Sequence, residues 1–233
     1  MQSLKDRHVV ITGGTGALGS AVVRAFIEVG AVCHIPAIED TPPTHNLPDS
    51  KQISIAAGID LANEASVEGF YAKLPPLHAV VNIAGGFAYA PIADSPLKVL
   101  QQQLSMNVVS CVLSCRAAVA NFRKGGKGGH IVNISARPAL SPRQGANMTA
   151  YAASKAAVAA FTVALAEELK NEDISVMALA PSTIDTPVNR KDMPKAKHDT
   201  WVKPAAIAEL IVAHCSLSET INSGVVMPVY GKA

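Results

Sequence analysis

The amino-acid sequence predicts an α/β protein: a doubly wound, parallel, seven-stranded sheet with helices on both faces. Three observations support this. Apolar runs of about four to six residues recur along the chain, separated by helical or loop-forming stretches, and such unbroken runs belong to strands buried on both faces. The first run passes through a glycine-rich turn straight into a helix, the opening of a doubly wound unit. Of 233 residues, 49% are apolar and 16% charged. That fills one large core, and no linker-like tract divides residues 1–233, so a single domain is expected.

The elements follow in order. His8-Val9-Val10-Ile11 is the first strand, and Ala17 to Val29 the first helix, with Val22, Val23, Phe26 and Ile27 on one side. Ala31-Val32-Cys33-His34-Ile35 is the second strand. A Pro-, Thr- and Asn-rich loop, Glu39 to Lys51, leads to the third, Gln52-Ile53-Ser54-Ile55-Ala56. A helix from about Asn63 to Lys73 precedes the fourth strand, Ala79-Val80-Val81-Asn82-Ile83. Leu97 to Arg123 is mostly helical, His130-Ile131-Val132-Asn133-Ile134 is the fifth strand, and Thr149 to Asn171 a long helix. Ile174 to Leu179 is the sixth strand, Pro204 to Ser216 a helix, and Gly224 to Val229 the seventh strand. Thr186 to Lys203, with two prolines and Trp201, reads as a loop after the carboxyl end of strand six. Doubly wound (Rossmann) sheets bind ligands at that end, so this loop is a candidate lid.

Bulk composition excludes several classes. A net charge of +2 gives no electrostatic basis for nucleic-acid binding. No apolar leader opens the chain and no apolar run reads as long enough to span a membrane. Cys33, Cys111, Cys115 and Cys215 form neither a CxxC pair nor a disulfide framework. Free thiols fit a reducing, cytoplasmic setting, and no metal site is expected.

Two segments carry chemistry. In Thr12-Gly13-Gly14-Thr15-Gly16-Ala17-Leu18-Gly19 the glycines permit a tight turn and close approach, and the helix N-terminus offers N–H groups to a pyrophosphate. In Tyr151-Ala152-Ala153-Ser154-Lys155, tyrosine and lysine share one helix face. A phenol titrates near pH ~10. A cation at ~4 Å contributes up to ~4 kcal/mol at an effective dielectric of ~20, enough to bring the phenol toward the working range of an acid/base catalyst. A dinucleotide site beside a proton-transfer group points to hydride chemistry. Further positions leave two readings each. Asp60, followed by Leu61, accepts from an adenine amino group or caps the next helix. Asn82, ahead of Ala84-Gly85, touches cofactor or ties strands together. Asn107 sits inside a helical run, where Asn is unfavourable; it marks a kink freeing a carbonyl for water, or is a satisfied buried polar group.

Taken together, Thr12-Gly13-x-x-x-Ala17-x-Gly19, Asp60, Asn82-x-Ala84-Gly85, Asn107, Tyr151-x-x-x-Lys155 and Pro181-Ser182-Thr183-Ile184-Asp185-Thr186 resemble the classical short-chain dehydrogenase/reductase family over nearly the whole chain. The resemblance implies Tyr151 as general acid/base. It implies that Lys155 lowers the tyrosine pKa and binds the nicotinamide ribose, that Asn107 holds a relay water, and that Ile184 and Thr186 hold the carboxamide. Gly13, Thr15, Gly16, Ala17, Leu18 and Gly19 would line the pyrophosphate, with Asp60, Leu61, Asn82, Ala84, Gly85 and Pro181 beside the rest of the cofactor. The chain departs from the family pattern in three places. Ala17 replaces a glycine, Ser182 replaces another, and the substrate-polarising serine is displaced: Ala136 takes its place when aligned from Asn133, two residues too far from Tyr151. Ser135 is the favoured substitute, with Ser141 and Thr149 as rivals.

The expected function is NAD- or NADP-dependent hydride transfer between nicotinamide and a small carbonyl or alcohol. Ala37 and Ile38, where family members mark their choice between the two, are uninformative; Glu39, His34 and His45 are the nearby candidates. Asp185-Thr186-Pro187-Val188-Asn189-Arg190-Lys191-Asp192-Met193-Pro194 with Trp201 is similar to dihydropteridine reductases, which makes reduction of a planar heterocycle an alternative. A dinucleotide-binding sensor without turnover is another. The alanine-rich long helix and the 97–123 helix predict a homodimer or homotetramer.

Overall fold

The computed structural model describes residues 2–218 and 220–232. Its seven strands are β1 (His8–Thr12), β2 (Val32–Pro36), β3 (Ile53–Ala56), β4 (Ala79–Asn82), β5 (Gly129–Ile134), β6 (Ile174–Pro181) and β7 (Val226–Val229). They form one parallel sheet in the order β3-β2-β1-β4-β5-β6-β7. The order reverses between β1 and β4, and in such sheets that crevice holds ligands. β4 and β5 are buried at every residue and β1 at all but His8, which is why these segments lack polar alternation.

Eight helices cover the sheet among the described residues: α1 (Ala17–Glu28), α2 (Glu64–Tyr71), α3 (Leu97–Leu104), α4 (Ser110–Gly125), α5 (Arg137–Leu140), α6 (Thr149–Glu168), α7 (Pro187–Asp192) and α8 (Pro204–Cys215). On one face, Val22, Val23 and Phe26 of α1 and Ile207, Ile211 and Cys215 of α8 share a core with Val9, Ile11 and Ile35. On the other, Val67 and Phe70 of α2, Cys111, Cys115 and Phe122 of α4 and Val158 and Ala166 of α6 pack on Val10, Val80 and Ile131.

Three differences from the sequence reading have local causes. The expected lid loop contains α7, because Pro187 stands at its first turn and the Thr186 hydroxyl accepts from Asn189 N at 3.2 Å. The two residues gained before Tyr151 are accommodated around α5 and the short 3₁₀ turn after it, Pro142–Gly145. Residues 97–125 and 149–168 are also long and apolar enough, by length and composition, to cross a membrane. Both lie against the sheet, and the core on that face accounts for part of their apolar character.

At the amino-terminal end of the sheet, away from the crevice, five histidines gather. His8 Nδ1 lies 2.9 Å from His34 Nε2, His78 Nε2 lies 2.7 Å from Cys215 O, and the His130 ring stands 5.1 Å from His78 and 5.4 Å from His214. Burial pushes His130 down to about 3 and His214 to about 4; His78 and His34 are lowered for the same first reason. The His130 and His214 rings stay neutral when folded and take up protons on unfolding. Their contribution is complete above pH 6.5 and is lost as pH falls toward 4, roughly 3 kcal/mol each for His130 and His214. The urea midpoint is therefore expected to drop steadily below pH 6.5, and to drop less in a His130→Gln, His214→Gln double variant. Equal slopes for the two proteins would contradict this origin of acid sensitivity.

Candidate active site

The site is assembled at the carboxyl ends of β1, β4, β5 and β6. The turn after β1 is closed by Gly16 N donating to Gly13 O at 3.0 Å. Gly13 has φ +67, and a Cβ there would meet Ala84 N at 2.9 Å; a Cβ on Gly19 would lie 2.0 Å from Gly13 O. No side chain caps α1 at Gly16 and no acid occupies its first turn, so its leading N–H groups and positive dipole end face outward. That is a cradle for a pyrophosphate. The Thr12 hydroxyl accepts from Ile83 N and Ala84 N at 3.0 and 3.1 Å, fixing the Ala84-Gly85 loop beside the turn.

Asn107 lies in a π-helical turn, Ser105–Val109, between α3 and α4. Its Oδ1 accepts from Gly86 N at 2.9 Å, and its Nδ2 donates toward Gly86 O, Ser154 Oγ and Gln103 Oε1 at 3.0, 3.0 and 3.2 Å. The side chain is satisfied, as one of the two sequence readings has it, and it sits where the helix is distorted. A Cβ on Gly85 would stand 2.4 Å from Asn107 Oδ1 and 3.4 Å from Lys155 Nζ. Asn107, Lys155 and the β4 loop thus meet in one place.

Lys155 is buried, and its ammonium donates to Ile134 O at 2.9 Å. Burial pulls its pKa down to about 8. Tyr151, one turn earlier, packs edge-on against Phe87 with ring centroids 5.0 Å apart, and burial pushes its phenol up to about 12. The expected lowering of the tyrosine by the lysine is not present in this arrangement, because the ammonium is directed at the Ile134 carbonyl and desolvation dominates both groups. The Tyr151 phenol consequently keeps its proton at neutral pH in this arrangement.

Other expected positions are redistributed. Ser135 is fully buried and its hydroxyl donates to Lys155 O at 2.8 Å; it braces β5 against α6 and offers nothing to a substrate. Ser141 is partly exposed and Thr149 exposed, and among the described residues neither hydroxyl is held by a protein partner. Asn82 Nδ2 donates to Asn133 Oδ1 at 2.9 Å and toward Cys115 Sγ at 3.2 Å, so it ties β4 to β5 and α4, while its Oδ1 is buried with no partner among the described residues. Asp60 does not cap α2; Oδ1 closes a turn onto Ala62 N at 2.8 Å, while Asn63 is the cap. Ile184 O accepts from Asn189 Nδ2 at 2.8 Å. The Thr186 oxygen, accepting from Asn189 N, keeps its O–H to donate. Leu18 is buried under the turn, while Thr15, Leu61 and Ala84 are partly exposed. His34 is bound to His8 and His45 to Asn46, so neither is set to read a phosphate. In the lid, Asp185 pairs with Arg190 and Lys203, which hold its carboxylate far below the usual range and fasten α7 to the base of α8.

Sequence reasoning missed Phe87 and gave Ser154 and Thr12, though both stand in its motifs, no role of their own. Ser154 lies inside the Tyr–Lys segment, and its role depends on a contact with α3–α4 that no spacing reveals. Thr12 was visible as the residue between strand and turn.

The sheet order and the glycine turn at the carboxyl end of β1 are those of a doubly wound α/β fold. Residues 7–197 match the family model described as short chain dehydrogenase, and the chain belongs to that family. It is 30% identical over 191 residues to the probable oxidoreductase EphD of Mycobacterium tuberculosis, covering 78% of this chain and 31% of that protein. The chain therefore spans about a third of the length of that curated relative. It is 27% identical over 217 residues to D-xylose 1-dehydrogenase of Caulobacter vibrioides, covering 91% and 82% of the two chains. A solved structure of ElxO with NADP bound superposes with a TM-score of 0.87 at 21% identity, over 97% of this chain and 98% of that one; this likeness concerns the fold.

Proposed function

We propose that the protein is an NAD- or NADP-dependent oxidoreductase acting on a small carbonyl or alcohol. The observation that carries this is the meeting of Gly85, Asn107 and Lys155 beside an uncapped helix N-terminus, with Tyr151 one turn from Lys155. The named relatives, a probable oxidoreductase and a sugar dehydrogenase, support it. The glycine turn would hold the dinucleotide pyrophosphate, and Ala84, Gly85, Lys155, Ile184 and Thr186 would hold the rest of the cofactor. When bound, the nicotinamide supplies or accepts the hydride.

The chain's own residues supply the proton. Tyr151, held neutral, donates from its hydroxyl to the carbonyl oxygen in reduction and takes the proton back in oxidation. The Lys155 ammonium, donating to Ile134 O, has further N–H groups to offer a ribose. Asn107 and Ser154 hold the π-turn against the Tyr151 helix, and we assign the relay water of this site to the backbone there. With Ser135 committed to Lys155 O, we assign the polarising task to Tyr151, with the unheld hydroxyls of Ser141 and Thr149 as its rivals. The test is oxidation of NADH and NADPH with neutral diketones, a sugar lactone and a quinonoid heterocycle. Turnover of a carbonyl supports the reading. Dinucleotide binding without any turnover would favour a sensor, and turnover confined to the heterocycle would favour the alternative suggested by the lid sequence.

We further propose a homo-oligomer in a reducing, cytoplasmic setting. The four cysteines are free and buried, which supports the setting. Met106, Val109 and Val163, on the helices singled out in the sequence, are 40–46% exposed, a large apolar surface for a second copy to cover. Light scattering is expected to give a mass at least twice 24.2 kDa. A Val109→Glu, Val163→Glu variant should shift to the monomer. A wild-type protein that is monomeric when dilute would refute the proposal.

A further inference from the structure

The loop after β5 carries an arginine that the mechanism does not use. Arg137 opens α5, immediately after Ala136, the residue standing where the usual polarising serine would be. Its guanidinium lies over the Tyr230 ring, 4.7 Å from the centroid. Tyr230 follows the carboxyl end of β7; its carbonyl accepts from Ser182 Oγ at 2.8 Å, and the next residues reach the lid base, where Lys232 N donates to Thr200 O at 3.1 Å. On its other side, α5 leans on the first turn of α6: a Cβ on Gly145 would meet Ala152 Cβ at 2.6 Å and Pro138 Cβ at 3.7 Å. Arg137 thus lies between the helix that carries Tyr151 and the base of the lid.

Arg137 is also left without an anion. Arg116, Arg123 and Arg190 each pair with a carboxylate. Among the described residues Arg137 has no ion pair, and its Nε is buried with no hydrogen-bond partner. A buried N–H without an acceptor is costly, and native proteins supply one from the chain, water or a ligand. Stacking on Tyr230 covers one face of the guanidinium, and the two Nη groups, without a partner among the described residues, are the fork left for a carboxylate.

We propose that Arg137 determines specificity by anchoring a carboxylate on the carbonyl substrate, with Tyr230 holding the guanidinium in orientation. This rests on the oxidoreductase reading and narrows its substrate to oxo acids. The anchored carboxylate takes over part of the substrate positioning left vacant by the missing serine hydroxyl.

The experiment compares acetoacetate with its methyl ester, which share the oxo group and differ in charge. Calorimetric titration into the protein with dinucleotide present reads binding directly, and steady-state kinetics separates KM from kcat. The acid is expected to bind at least about tenfold tighter than the ester. Arg137→Gln should raise the KM for the acid about tenfold with little change in kcat and no change for the ester. Arg137→Lys, which keeps the charge but not the fork, should recover part of the loss. Thermal melts identify any variant that does not fold, and Tyr230→Leu then serves as the second variant, with the same but smaller loss of acid preference. Equal binding of acid and ester by the wild type, or an unchanged preference in Arg137→Gln, with dinucleotide affinity intact, would overturn the proposal. Absence of dinucleotide affinity would instead overturn the oxidoreductase reading beneath it.

Discussion

Replacing Tyr151 with phenylalanine is expected to lower turnover by roughly 10²–10⁴, the usual worth of a positioned acid/base, while leaving fold and dinucleotide affinity intact. The structure explains why the loss should be so clean. Among the described residues the Tyr151 hydroxyl has no protein partner, so its removal orphans nothing. The ring's edge-on contact with Phe87 survives the change. Because burial holds the phenol near 12, the hydroxyl is a donor across the physiological range. Because a substitution leaves the equilibrium constant unchanged, the variant's kcat/KM should fall by the same factor in reduction and in oxidation. Steady-state kinetics and a thermal melt check this; a folded variant with undiminished turnover would remove Tyr151 from the mechanism.

Lys155→Met is expected to lose both turnover and dinucleotide affinity without losing stability. Keeping a buried ammonium charged at neutral pH, with its pKa pulled from 10.5 to about 8, costs about 3 kcal/mol. Methionine relieves that cost, although it leaves Ile134 O without its donor. Affinity should fall about 10- to 100-fold, the worth of a hydrogen bond from a charged group, roughly 1.5–3 kcal/mol. The same residue predicts a pH profile. Lys155 is charged below about pH 8 and neutral above it, and kcat/KM reports groups of the free enzyme. In the wild type, kcat/KM for the dinucleotide should decline as pH rises through about 8, and the Lys155→Met profile should be flat there. Unchanged dinucleotide titration in Lys155→Met would contradict the ribose contact.

The elements of the fold were legible because parallel strands and their covering helices write themselves as apolar runs. Strand bounds inferred from Val9-Val10-Ile11 or Ile131-Val132-Asn133-Ile134 differ from the observed ones by a residue or so. The lid helix was not legible, since a proline that reads as a loop signal becomes a helix start once Thr186 caps it. Within the site, the glycine turn, the π-turn at Asn107 and the Tyr–Lys face were visible as local chemistry. Partners were not. Whether Asn82 faces cofactor or Asn133, whether Ser135 faces substrate or Lys155 O, and whether Lys155 faces Tyr151 or Ile134 O are decided by packing between β4, β5 and α6. The pairing of Arg137 with Tyr230 joins residues 93 positions apart, and no periodicity announces it.

The central claim, that this site moves a hydride while Tyr151 moves the proton, is tested most directly by isotope transfer. The enzyme is incubated with dinucleotide deuterated at the nicotinamide C4 and a carbonyl substrate, and the alcohol is analysed by mass spectrometry. One deuterium on the former carbonyl carbon, in wild-type product and scarcely any product from Tyr151→Phe, is the predicted result. Deuterium absent from that carbon, or incorporated equally by Tyr151→Phe, would contradict it.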